Sequence, residues 1–264
     1  MRLRVTEATG KDLSSEVQDL WFAMSNPALS PNSFSEVRVG GAQPMTLQGT
    51  VNKSVILLAL MILPAIYTWQ KVVEGGGNAI PWLVGGVIGG LVFALITIFK
   101  KDLAPVTAPI YAFCEGLALG GISALYETRT HGIVFLAVLL TTATLLGMLG
   151  LYTMRIVRAT EKFKLGVFAA TAGIALTYLV TLGLSLFGIH VPFVFDGGGF
   201  GIIFSLVVVV IAALNLVIDF DVIEQGCLQG APKYMEWYGA FGLMVTLVWL
   251  YLEILRLLSR LNRR

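Results

Sequence analysis

Three carboxylates close one apolar run. In LNLVIDFDVIEQG, residues 214–226, Asp219, Asp221 and Glu224 follow Val217 and Ile218, where hydrocarbon gives way to polar residues. Two further acids sit inside other apolar runs, Glu115 in YAFCEGLALGGIS and Glu253 in VTLVWLYLEILRLLSRL. An ionisable group in hydrocarbon is costly, so it is kept where it is paired, reaches water or serves an ion or proton path. The chemistry open to such acids is proton binding and cation attraction, because desolvation, nearby charge and hydrogen bonds together set when a buried carboxyl ionises.

Spacing separates the candidates. Asp219 and Ile223 share one helical face, and Asp221 and Glu224 share another. Asp219 directly follows the apolar residues and is the most embedded of the three. Near a helix C-terminus the macrodipole disfavours negative charge, so Asp219 calls for a partner. Asp221 and Glu224 read as the solvated end of the helix, where they would attract cations. Glu115 lies 12 residues past Leu103, about 18 Å along a helix and close to mid-membrane. It is either a proton-responsive group or a protonated acid making one structural hydrogen bond. Glu253 has Arg256 three residues on, which allows a salt bridge along the helix, or it is a second acid facing the bundle interior.

Other reaction chemistry finds no support. His131 and His190 have no ligand spacing, Cys114 and Cys227 form no CxxC pair, and there is no GxSxG elbow or P-loop. An intramembrane aspartyl protease needs two aspartates from two helices, and Asp219 has no intramembrane Asp counterpart. No enzyme activity, cofactor or nucleic-acid partner is expected.

The elements that must position these acids follow from composition. Of 264 residues, 56% are apolar and 13% charged, about half the charged share of an average soluble domain. Crossing a hydrocarbon core takes about 20 apolar helical residues. Runs at 54–69, 80–99, 104–126, 132–154, 165–188 and 200–218 are uncharged or nearly so, and a seventh at 237–258 carries Glu253 and Arg256. The expected fold is all-α, a polytopic membrane helix bundle of seven transmembrane segments, the last crossing fully or partly re-entrant. Alternating crossings gather Lys53, Lys100, Lys101, Arg155, Arg158, Lys162, Lys164 and Lys233 on one side, which places the N-terminus in the cytoplasm. The tail arginines Arg256, Arg260, Arg263 and Arg264 argue against that topology and suit anionic headgroups of the lipid bilayer.

Residues 1–53 form a cytoplasmic N-terminal segment with one short amphipathic helix, marked by Leu13, Val17, Leu20, Trp21 and Met24. Residues 54–264 form the transmembrane domain. Gly85 with Gly89, Gly86 with Gly90, and Gly116 with Gly120 have the spacing that lets helix backbones approach closely in lipid.

The stretches EGLALGGIS at 115–123, IDFDVIEQ at 218–225 and LYLEILRLL at 250–258 resemble the Bax inhibitor-1 family, in particular its bacterial YccA-like branch, over residues 45–264. The resemblance implies six helices around a central last one, a bacterial inner-membrane location, and a pH-sensitive calcium leak. It also implies a pair of aspartates that share a proton. The first maps onto Asp219, which is then a candidate calcium contact as well. The second falls near Thr246, with Glu253 seven residues later, so the pH-sensing partner of Asp219 is left between Glu115 and Glu253. Calcium would be a permeant ion and not a cofactor. The alternative is a membrane regulator without transport, whose residues 1–53 bind a membrane protease or stress factor. A proton-coupled transporter using Glu115 is the third reading.

Overall fold

The computed structural model describes residues 44–188 and 199–262. The amphipathic stretch expected at 13–24, His190, Arg263 and Arg264 lie outside those residues. Seven helices are long and apolar enough to cross a membrane. They are α1 (Leu47–Val73), α2 (Ile80–Phe99), α3 (Ala104–Glu127), α4 (Ile133–Thr153), α5 (Glu161–Leu186), α6 (Gly199–Leu228) and α7 (Met235–Leu261). The described residues contain no strand, only an isolated bridge between Pro44 and Pro232. The chain is an all-α polytopic bundle.

Local chemistry sets the helix limits. The Thr46 hydroxyl accepts the Gly49 N–H at 3.0 Å and starts α1 well before the apolar run at 54. The helix therefore begins inside the segment 1–53. Pro81 lies in the first turn of α2, where its missing N–H would have had no helical partner. A single 3-10 turn, Lys101–Leu103, reverses the chain into α3, and Thr160 caps α5 through the Phe163 N–H. At the C-terminal side of the sixth helix the expectation shifts. Helix α6 continues to Leu228, ten residues beyond the apolar run, so all three of its acids sit within the helix.

Helix α7 is the centre of the bundle. It packs on α1, α3, α4 and α6, and Tyr238, Phe241, Leu250 and Leu255 on it are wholly buried. At its start, Met45 N–H donates to the Ala231 carbonyl at 2.6 Å. At its end, Arg260 donates to the Gly201 carbonyl and to Ser205 Oγ at the beginning of α6. Those contacts lie at opposite ends of α6, so α7 runs the length of the bundle and is not re-entrant. Arg256 and Arg260 are engaged inside the protein, which removes them from the free loop charge that sets topology.

Helix α3 is clasped between α1 and α2 through glycines. A Cβ on Gly116 would lie 2.2 Å from the Met61 carbonyl oxygen, and one on Gly120 would lie 2.4 Å from that of Ala65. Gly86 faces the α3 backbone at Cys114 and Ala118, and Gly89 faces the Cys114 sulfur. Gly90 meets Glu115, while Gly85 faces open space.

Candidate carboxylate site along the sixth and seventh helices

Asp219 is the most enclosed acid of α6, with no exposed surface. Its neighbours Leu216, Val217, Val222 and Ile223 are buried, on a helix that packs against α4, α5 and α7. Asp219 lies nine residues before Leu228, the last residue of α6, or about 14 Å from that end. Thr246 lies eleven residues after Met235, the first of α7, or about 17 Å in from the same end. It is also buried, at 3% exposed. A carboxylate and a hydroxyl thus occupy similar depths on two packed helices.

Around Asp219 runs a seam of polar contacts organised by α5. Lys164, Thr171 and Tyr178 are spaced by seven residues, two helical turns, and so form one face. Each meets a polar group on a facing helix. Lys164 Nζ lies 2.9 Å from Asp221 Oδ2 and 3.2 Å from Glu161 Oε1. Asn215 Nδ2 donates to Thr171 Oγ1 at 2.9 Å, and the Tyr178 hydroxyl donates to Glu253 Oε1 at 2.9 Å. Asn215 precedes Asp219 by one turn on the same face and is equally buried. The seam opens at the end nearest α5's first turn into a cavity of about 380 Å³ bordered by Glu161, Lys164, Asp221, Gln225 and Gln229.

The remaining acids fall as follows. Asp221 and Glu224 are half-buried, and Glu224 accepts from the Tyr152 hydroxyl. Glu115 faces Gly90 of α2, whose absent side chain leaves it room, and the Tyr111 phenol one turn earlier. Tyr111 packs edge-on against Phe241 of the central helix, with centroids 4.8 Å apart. Glu253 is bound by Arg256 Nη1 at 2.8 and 2.9 Å, and the Arg256 guanidinium stacks over the Tyr178 ring at 5.1 Å. Glu253 lies eighteen residues into α7, about 27 Å, well past the level of Asp219. Of the two partners left open for Asp219, Glu253 is thus committed to Arg256 and Tyr178, and Glu115 faces Gly90 and Tyr111. The level of Asp219 on α7 is held by Thr246. No group of three His, Cys, Asp or Glu side chains that could hold a metal occurs among the described residues.

One acid escaped sequence reasoning. Glu236, in the first turn of α7, is completely covered. It accepts from Thr46 N–H at 3.0 Å and Thr46 Oγ1 at 2.9 Å, and it pairs with Lys53 at 3.1 Å and Lys233 at 3.2 Å. A carboxylate at the N-terminus of α1 also meets the positive end of that helix dipole. Gly49 makes the approach possible, since a Cβ there would sit 2.0 Å from Glu236 Oε1. Nearby, burial first and the Asp102 carboxylate second hold the Tyr234 phenol above its usual range. Two signals pointed here: Lys233 and Glu236 are at helical i,i+3 spacing, and Lys53 lies on the same side of the membrane by alternation.

A membrane bundle of seven helices, the last of them central and the sixth holding a buried carboxylate, defines the class of protein. The sequence model of the Bax inhibitor 1 like family matches residues 26–263, and the chain belongs to that family. The match begins 19 residues ahead of residue 45, where the resemblance in sequence starts. No curated protein and no solved structure matches the chain.

Proposed function

We propose that this Bax inhibitor 1 like membrane protein lets calcium or another cation leak down its gradient, with Asp219 as the proton-responsive gate residue. The reading extends to the bacterial YccA-like branch and an inner-membrane location with the N-terminus in the cytoplasm. The observation that carries it is the full enclosure of Asp219 on α6, the helix that packs most extensively against the central one. A charge there must be neutralised, paired or hydrated, so its protonation is coupled to how tightly α6 and α7 close. Protonated, the acid favours the closed packing. Ionised, it favours entry of water and attracts a hard cation, for which carboxylate oxygen is a preferred ligand.

This chain departs from a shared-proton pair, since Thr246 stands where the resemblance leads one to expect the second acid. A hydroxyl can donate to a carboxylate or accept from a carboxylic acid, but it does not compete for the proton. The pH response therefore rests on one ionisation. The half-buried Asp221 and Glu224 supply negative charge toward the end where the cavity opens.

The test is calcium flux into proteoliposomes across pH. The wild type should conduct more as pH rises, and Asp219→Asn should hold flux low with no pH dependence. Flux equal to that of protein-free liposomes at every pH would end the channel reading, and partner binding through residues 1–53 would then be the function to pursue.

A further inference from the structure

A second cavity, of about 420 Å³, shares no lining residue with the one beside Lys164 and Asp221 and lies in the lipid-facing wall between α1 and α4, floored by α3 and α7. Leu58, Met61, Ala65, Val138 and Leu145 give it an almost wholly apolar lining. Its rim is exposed, with Ile66 at 49% and Val138 at 50%, so in a membrane it opens onto acyl chains. From Leu58 to Trp69 the groove follows eleven residues of α1, about 17 Å. That is close to half of a hydrocarbon core about 30 Å thick, the depth of one leaflet.

Thr141 and Thr142 also line the groove, the Thr141 hydroxyl being spent on the Ala137 carbonyl at 2.8 Å; the unmet donor is at the Trp69 end. Trp69 lies four residues from the end of α1, about 6 Å from the helix terminus, in the zone where lipid esters meet the aromatic belt. Its Nε1 is buried and has no hydrogen-bond partner among the described residues. A buried indole N–H without an acceptor costs free energy, whereas Ser123 and Tyr251 beside it satisfy one another at 2.6 Å. An apolar slot one leaflet deep, with an unmet donor at the interfacial end, has the chemistry of a lipid site.

We propose that the groove between α1 and α4 holds one acyl chain of a membrane phospholipid, whose ester carbonyl accepts the Trp69 Nε1–H. The bound lipid comes from the leaflet at the end of the bundle opposite Lys53. Its volume falls within the range of ordinary ligand sites. The assignment is independent of ion conduction.

The experiment is native mass spectrometry of the full chain purified in detergent, with dioleoyl phosphatidylcholine titrated in. One lipid per chain should bind saturably. Val138→Trp, which fills the groove from α4, should weaken that binding at least tenfold. Trp69→Phe should weaken it about fivefold, the effect of one hydrogen bond. Circular dichroism checks the helical fold of each variant, and Thr142→Leu narrows the same wall more gently should Val138→Trp not fold. Binding without a one-to-one step, or unchanged by filling the groove in a folded chain, overturns the site. Unchanged binding in Trp69→Phe overturns the role given to the indole. A dimer abolished by Val138→Trp would instead make the groove an interface between copies.

Discussion

Arg260, two residues before the end of the described chain, donates to the Ser205 hydroxyl at 2.7 Å in the second turn of α6. The contact ties the last turn of the central helix to the first turns of its neighbour, and it does so with a side chain only 6% exposed. Together with the short connection between Leu228 and Met235 at the other end, it fixes α6 and α7 as antiparallel over their whole length. Asp219 and Thr246 consequently lie at one level.

That level gives the first prediction. Thr246→Asp puts a second acid on the packed helix at the level of Asp219, and two carboxyls brought together cannot both ionise cheaply. The flux–pH curve should move to higher pH by about one unit or more, while Asp219→Asn combined with Thr246→Asp should return a single, less displaced transition. Proteoliposome flux between pH 5 and 9 measures both. An unmoved curve in Thr246→Asp would separate Thr246 from the gate.

The clasp around Glu236 gives the second. Gly49→Ala forces a Cβ into the carboxylate and should cost about 1–3 kcal/mol, the range for overpacking a tight site. In a Glu236→Ala background the same substitution should cost almost nothing, because the atom it strikes is gone. A double-mutant cycle by thermal unfolding in detergent gives the coupling directly. Additive effects would show that Gly49 acts elsewhere.

The glycine pairs, which share one spacing, should divide. Gly116→Ala sets a methyl 2.2 Å from the Met61 carbonyl oxygen, a backbone atom that cannot rotate away, and should destabilise by about 2 kcal/mol or more. Gly85→Ala meets nothing within 4 Å, and it should stabilise by about 0.5–1 kcal/mol through helix propensity alone. Equal midpoints for the two variants in a thermal scan would contradict the packing of α3.

Lys164 gives the last. Its ammonium is shared by Asp221 and Glu161, and the Lys164 and Asp221 side chains are only 11% and 15% exposed. Lys164→Met strands the Asp221 carboxylate and should cost about 2 kcal/mol. Adding Asp221→Asn should recover part of that loss, because the stranded charge and not the missing bond is the larger penalty. No recovery in the double variant would mean that Lys164 contributes through its packing.

Much of the fold was legible because uncharged runs of about 20 residues have few alternatives in water or lipid. The seventh segment was ambiguous for a physical reason: Glu253 and Arg256 look costly in hydrocarbon until Tyr178, 75 residues away in sequence, is seen to complete their pairing. Sequence spacing could offer the Glu253–Arg256 pair but not the aromatic ring beneath it. Glu236 was hidden by the opposite effect. An acid in a first helical turn reads as ordinary surface charge, and only the fold brings Lys53 and the Thr46 N–H over it. The stripe Lys164, Thr171, Tyr178 was present as a seven-residue spacing, yet its residue types differ so much that no periodic signal marks it.

The clasp at Glu236 also has a mechanical side. The start of α1 and the root of α7 are joined there by two hydrogen bonds, the Lys53–Glu236 ion pair and a glycine that admits no slack. A pull on the chain ahead of residue 44 is therefore delivered to the base of the central helix, so whatever grips the leading segment holds a lever on the bundle's axle.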